Sequence, residues 1–145
     1  GDTVYLIATE LSIHNRGGWG AAAATSTGST NLIVWESHDF VNWSEPRAVD
    51  VASQIPGAGM AWAPEAHWDD VNKQYMVYWA TASDSDNKSG DRTNMYYSTT
   101  RDFVNFTTPV KWIDRVKSVI DTTMIKADDG YYYRVSGDTY LAHHW

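Results

Sequence analysis

Cysteine is absent from the 145 residues, which excludes disulfides and thiolate metal sites and leaves the cellular compartment open. No apolar run reaches the roughly 18 residues of a membrane-crossing helix, and no signal peptide is expected within the chain. Basic residues are also few. Eleven Lys and Arg stand against 18 Asp and Glu, for a net charge of −7, and no basic stripe is visible. Nucleic acid is therefore not an expected partner, because that binding is driven largely by cationic contacts to phosphate. Helical periodicity is lacking too. The stretch Ala21 to Ala24 is helix-compatible, but it is short and bounded by Gly20 and the Thr, Ser and Gly run from Thr25 to Thr30.

Aromatic residues are abundant, with eight Trp and nine Tyr. They favour strands and fill cores, and exposed ones can stack on the apolar faces of sugar rings. Strand signals run over Val4 to Ala8, Asn31 to Ser37, Gln74 to Thr81, Thr93 to Thr99, Val119 to Lys126 and Tyr131 to Ser136. Each is short, rich in aromatic and β-branched residues, and flanked by Gly, Asp or Asn. The expected fold class is all-β.

An internal repeat sharpens this. Ser37-His38-Asp39-Phe40-Val41-Asn42-Trp43 returns as Thr100-Arg101-Asp102-Phe103-Val104-Asn105-Phe106, 63 residues on. A turn followed by an aromatic strand appears around Tyr5, Tyr75 and Tyr132, at offsets of 70 and 57. Both markers give a period near sixty residues, the size of one four-stranded β-propeller blade. Asp39 and Asp102 are expected to bond backbone amides just ahead of them in a structural turn. That turn also accounts for Asn42 and Asn105, which sit in glycosylation-type triplets. A propeller needs at least about four blades, and this chain holds about two and a half. The expected division is the remainder of a first blade over about 1–50, a second over about 58–112 and the start of a third over about 117–145. Such a chain is expected to be part of a longer protein, or to cover its open edges by association.

Innermost strands of successive blades converge on one funnel. Trp62-Ala63-Pro64-Glu65 precedes the Tyr75 strand, and Ile120-Asp121-Thr122-Thr123 precedes the Tyr132 strand, with Asp121 lying 56 residues after Glu65. One period therefore brings both carboxylates toward the same funnel. No metal site is expected. His67 reads as a packed or solvent-facing histidine, and His143 and His144 would face opposite sides of a strand. The segment from Asp84 to Asp91 reads as a solvated loop rather than a calcium loop, lacking the central Gly and terminal Glu of one.

These motifs, with the SHDFVNW segment and the Asp129-Gly130-Tyr131-Tyr132 turn, carry a resemblance that runs from Gly1 to about Asp138. The chain resembles part of a catalytic domain of glycoside hydrolase family 43, the five-bladed propeller arabinanases, xylosidases and arabinofuranosidases. The resemblance implies an inverting hydrolase of arabinose- or xylose-containing saccharides, with no cofactor. In such enzymes a general acid protonates the leaving oxygen and a base activates water on the opposite face. A third carboxylate orients the acid and keeps its pKa raised. By position, Asp121 matches that third carboxylate, although Thr122 follows it where a Pro is usual. Trp62 matches an aromatic beside the sugar in the innermost subsite. Ala63 and Ile120 line the site with it, and Glu65 matches a wall position outside the catalytic trio. The base would lie upstream of Gly1 and the general acid beyond Trp145, since none of Glu10, Glu36, Glu45 and Glu65 matches its station. Two rivals are a non-catalytic sugar-binding propeller and a protein-interaction propeller. The latter's Gly-His and Trp-Asp signatures do not recur at blade spacing.

Overall fold

The computed structural model describes residues 2–19, 21–22, 26–83 and 92–137, and the backbone of 142–144. Ten strands form three antiparallel sheets. The first holds β1 (Val4–Thr9), β2 (Asn31–Ser37) and β3 (Arg47–Asp50) in that order. The second is a four-stranded meander of β4 (Trp62–Asp69), β5 (Gln74–Thr81), β6 (Asn94–Thr100) and β7 (Val110–Ile113). In the third, β8 (Ile120–Lys126) pairs with β9 (Tyr132–Gly137), which pairs with β10 (Ala142–His144). The all-β expectation holds, and the six strands read from the sequence agree to within a residue at either end. The four-residue strands β3 and β7 carry no comparable aromatic run. The segment 84–91, and part of the helix-compatible stretch at 21–24, lie outside the described residues. Among the described residues no helix is long and apolar enough to cross a membrane.

The sheets stack face to face because each strand presents apolar residues on both sides. Leu32 and Val34 of the first sheet meet Val77, Trp79 and Tyr96 of the second, with Tyr5, Ile7 and Tyr75 at the margin. The opposite face of the second sheet, Tyr78, Ala80 and Met95, packs on Val119, Ile120 and Met124 from the third. The middle sheet is thus buried on both sides, and Trp79 has no exposed surface.

The repeated turn has the expected structure twice. Ser37 Oγ accepts the Phe40 amide at 2.9 Å, and Thr100 Oγ1 accepts that of Phe103 at 3.0 Å. Asp39 Oδ1 accepts the amides of Val41 and Asn42 at 2.9 and 2.7 Å, and Asp102 those of Val104 and Asn105 at 2.9 and 2.8 Å. The Asn42 and Asn105 side chains donate to the other carboxylate oxygens. These donors hold both Asp carboxyls well below the usual carboxylate range. A group with a depressed folded-state pKa stabilises the fold above its unfolded value of about 3.9 and loses that contribution as pH falls. Thermal midpoints between pH 7 and pH 2 should therefore drop below about pH 4. The Asp39→Asn/Asp102→Asn double variant should start lower at pH 7 and lose less on acidification; parallel curves would contradict the linkage.

Register corrects one of the repeat markers. Overlaying the turns puts Ser37 on Thr100. Ser37 pairs with Val4 and Thr100 with Tyr75, so Tyr75 corresponds to Val4, and Tyr5 corresponds to Met76. The 70-residue alignment of Tyr5 with Tyr75 is one residue out, which in a strand means the opposite face. The two rings instead meet edge to face across the sheet interface, 6.1 Å apart. Phe103 sits between them, 4.3 Å from Tyr5 and 4.9 Å from Tyr75. Between the second and third sheets, the corresponding stations are Met76 and Tyr132. There the structure has a cleft of about 780 Å³, lined also by Trp112 and Arg134.

Candidate functional site

The strands run so that the starts of β4 and β8 and the connection between β1 and β2 lie at one end of the sheets. Two stitches fix the strand starts. The Ala61 amide donates to the Ser29 carbonyl at 3.1 Å, and the Val119 amide to the Thr93 carbonyl at 2.8 Å. Each strand begin is thereby tied to the sheet before it.

Both strands are bulged just past that point. In β4, Trp62 pairs with Ala80 and Glu65 with Tyr78, so Ala63 and Pro64 face a single partner residue. In β8, Ile120 pairs with Gly137 and Thr123 with Val135, so Asp121 and Thr122 do the same. The first bulged residue has left-handed backbone in each case, with φ of 48° at Ala63 and 52° at Asp121. This conformation is uncommon for residues with a Cβ, and bulges of this kind re-aim a side chain next to functional sites. Asp121 is the better suited of the two, since Asp tolerates left-handed backbone through its short polar side chain.

The bulges also redefine the spacing. Asp121 is the counterpart of Ala63, at an offset of 58 residues, and Glu65 is the counterpart of Thr123. The 56-residue separation of Glu65 and Asp121 therefore joins two different stations. Asp121 is exposed, and no described residue donates to its carboxylate. Gly137 makes room for it: a Cβ there would stand 3.3 Å from the Ile120 carbonyl and 3.9 Å from the Asp121 Cβ. Next to it, buried Thr122 and Ser136 share a hydroxyl hydrogen bond of 2.8 Å. The carboxylate is thus held on a rigid base while its own oxygens are free to meet a ligand.

Glu65 is placed differently. It is half-buried and accepts the Tyr78 hydroxyl at 2.9 Å, on the face that packs against the third sheet. Burial, and then Glu65 itself, raise the Tyr78 hydroxyl well above the usual tyrosine range. The Ala63 amide donates to Thr9 Oγ1 of the first sheet at 3.0 Å, so the β4 bulge is itself anchored. His67 lines the cleft between the second and third sheets and packs edge to face on Tyr132.

Trp62 is half-buried and meets Trp19 edge to face, with ring centres 6.4 Å apart and planes at 88°. Trp19 lies on the long connection between β1 and β2 and carries no strand periodicity. Its one signal in sequence is a lone indole among glycines, Gly17-Gly18-Trp19-Gly20. The same connection is gathered by Glu10, which accepts the Ser29 hydroxyl, accepts the Asn31 side-chain amide at 2.9 Å and pairs with Arg16 at 3.5 Å. A cavity of about 470 Å³ opens beside these residues. The hydrogen bonds from Ser29 and Asn31 hold the Glu10 carboxyl below its ordinary value. An acid kept ionised is a poor proton donor, so Glu10 is unsuited to the role of general acid. Glu36 is paired with Arg47. Among the described residues no group of three or more His, Asp or Glu side chains could hold a metal ion.

The end of the molecule that carries Trp62, Asp121 and Trp19 therefore offers aromatic faces beside an exposed, rigidly based carboxylate. Comparisons with known proteins fit this. A family model for a probable glycosyl hydrolase domain, related to glycoside hydrolase family 43, matches residues 1–143. An alpha-L-arabinofuranosidase of Bifidobacterium longum subsp. longum is 38% identical over 148 aligned residues, covering 92% of this chain and 14% of that protein. The crystal structure of a candidate exo-beta-1,3-galactanase from Bifidobacterium bifidum s17 superposes over 100% of this chain and 45% of its own, with a TM-score of 0.57 at 17% identity. The chain thus spans about a seventh of the arabinofuranosidase and under half of the solved neighbour.

Proposed function

Since the chain belongs to the family of probable glycosyl hydrolase domains related to glycoside hydrolase family 43, we propose that it forms part of an inverting hydrolase of arabinose- or xylose-containing saccharides. The three sheets are read as blades of a five-bladed propeller, with β4 and β8 innermost. The observation that carries the reading is the pair of matching bulges. They put Asp121 at a defined station at the start of an inner strand, one sheet on from Trp62. Asp121 then acts as the carboxylate that orients the general acid and keeps its pKa high. Trp62 stacks on the sugar, and Ala63 and Ile120 line its subsite. Glu65 supports the wall through Tyr78. Apolar side chains exposed on the outer sheets, Leu6 and Phe40 on the first and Ile125 and Tyr133 on the third, support the view that further sheets cover them, from the same polypeptide or by self-association.

Inverting hydrolysis needs two carboxyls across the scissile bond. Of the four Glu side chains, Glu10 is held ionised, Glu36 is ion-paired and Glu65 is engaged by Tyr78. Glu45, beyond the far end of β2, is remote from the strand starts. The 145-residue chain alone should accordingly show little or no turnover of aryl α-L-arabinofuranosides or β-D-xylosides. Measurable turnover that disappears in the Asp121→Asn variant would overturn this division of roles.

A further inference from the structure

We propose that Trp19 is a second sugar-stacking residue, which reads the saccharide unit next to the one held at Trp62. This rests on the reading of Trp62 as a sugar contact. The connection from Glu10 to Thr30 carries only a single 3-10 turn at His14–Arg16 among its described residues. Connections of this length without strands of their own in compact domains are commonly binding elements. It is held in shape from within. Glu10, directly after β1, bonds Ser29 and Asn31 at the entrance to β2 and also pairs with Arg16, three residues before Trp19. Gly17 and Gly18 follow with φ of 81° and 92°, and the Gly18 amide returns to the Ile13 carbonyl at 3.0 Å. Those two left-handed residues reverse the chain and deliver Trp19 to the edge of Trp62.

An indole 69% exposed on an ordinary surface needs no explanation, since single exposed apolar residues are common. Trp19 differs because its ring is placed at right angles to Trp62, at the same end as the Asp121 bulge. Edge-to-face contact uses little of the π-surface and leaves the face of Trp19 open. Two indoles at 88° form a corner, and adjacent pentose rings in a linear or branched oligosaccharide can each lay a C–H face on one wall of it. The ligand class is a di- or trisaccharide of arabinose or xylose. Glu10 and Arg16 are positioning residues for the corner.

The test is titration of the 145-residue chain by calorimetry and indole fluorescence. The probes are methyl α-L-arabinofuranoside and methyl β-D-xyloside against the corresponding di- and trisaccharides. The expected result is that oligosaccharides bind tighter than the methyl glycosides and that Trp19→Ala removes about five- to tenfold of that gain. Methyl glycoside affinity should stay unchanged, and Trp19→Phe should restore most of the gain. Trp62→Ala should weaken every probe. A gain from chain length that survives Trp19→Ala would overturn the assignment, as would absence of saccharide binding by the unsubstituted chain. Loss of the gain in Trp19→Ala with Trp62→Ala silent would overturn the role of Trp62 and uphold that of Trp19.

Discussion

Truncating Phe103 to Ala is expected to lower the unfolding free energy by about 3–5 kcal/mol. The same change at Phe40, its counterpart in the repeated turn, should alter it by less than about 0.5 kcal/mol. The two residues share a sequence context, a hydrogen-bonding pattern and left-handed backbone, with φ of 52° and 63°. Their surroundings differ. Phe103 is 2% exposed and packed between Tyr5, Tyr75 and Phe106, whereas Phe40 is 70% exposed. Removing the buried ring leaves a cavity among aromatic neighbours that cannot collapse without pulling the first two sheets together. A domain of this size is stable by only about 5–15 kcal/mol, so Phe103→Ala should bring the chain close to unfolding at ordinary temperatures. Urea denaturation of both variants beside the parent chain measures the difference. Equal losses would show that the first two sheets are not held together as described.

Asp121→Asn in the full-length parent enzyme is expected to lower kcat by about 10²- to 10⁴-fold, with thermal stability changed little because the carboxylate is exposed and no described residue donates to it. The direction of the pH effect is the sharper test. A carboxylate near the general acid disfavours its ionisation and raises its pKa. Neutralising Asp121 lowers that pKa, so the acid loses its proton at lower pH and the alkaline limb of the kcat profile moves toward acid. A profile that keeps its limbs while falling in height would assign Asp121 to substrate binding instead. An unchanged kcat would remove it from the machinery.

What could be read from sequence here was whatever is settled within a few residues. Asp39 and Asp102 bond amides two and three positions ahead, so their turn was visible in the string itself. Strands with Tyr and Trp on both faces were visible for the same reason. Register was not. A bulge adds a residue to one strand only, and it turned an apparent match of Glu65 with Asp121 into a match of Ala63 with Asp121. Likewise Tyr5 and Tyr75 look equivalent because both follow turns, yet pairing places them on facing surfaces. Trp19 escaped notice because its partner lies 43 positions away, and only packing brings the two together.

The paired bulges have a consequence for how such a molecule can change. The same backbone kink holds a methyl group in one sheet and a carboxylate in the next. Geometry at that station is supplied by strand pairing and by stitches to the preceding sheet, so the side chain mounted there is a separable choice. A mutation at residue 63 or 121 can rewrite the chemistry of this end of the molecule while the sheets beneath keep their form. The architecture amounts to a row of interchangeable sockets, in which new specificities can be tried one position at a time.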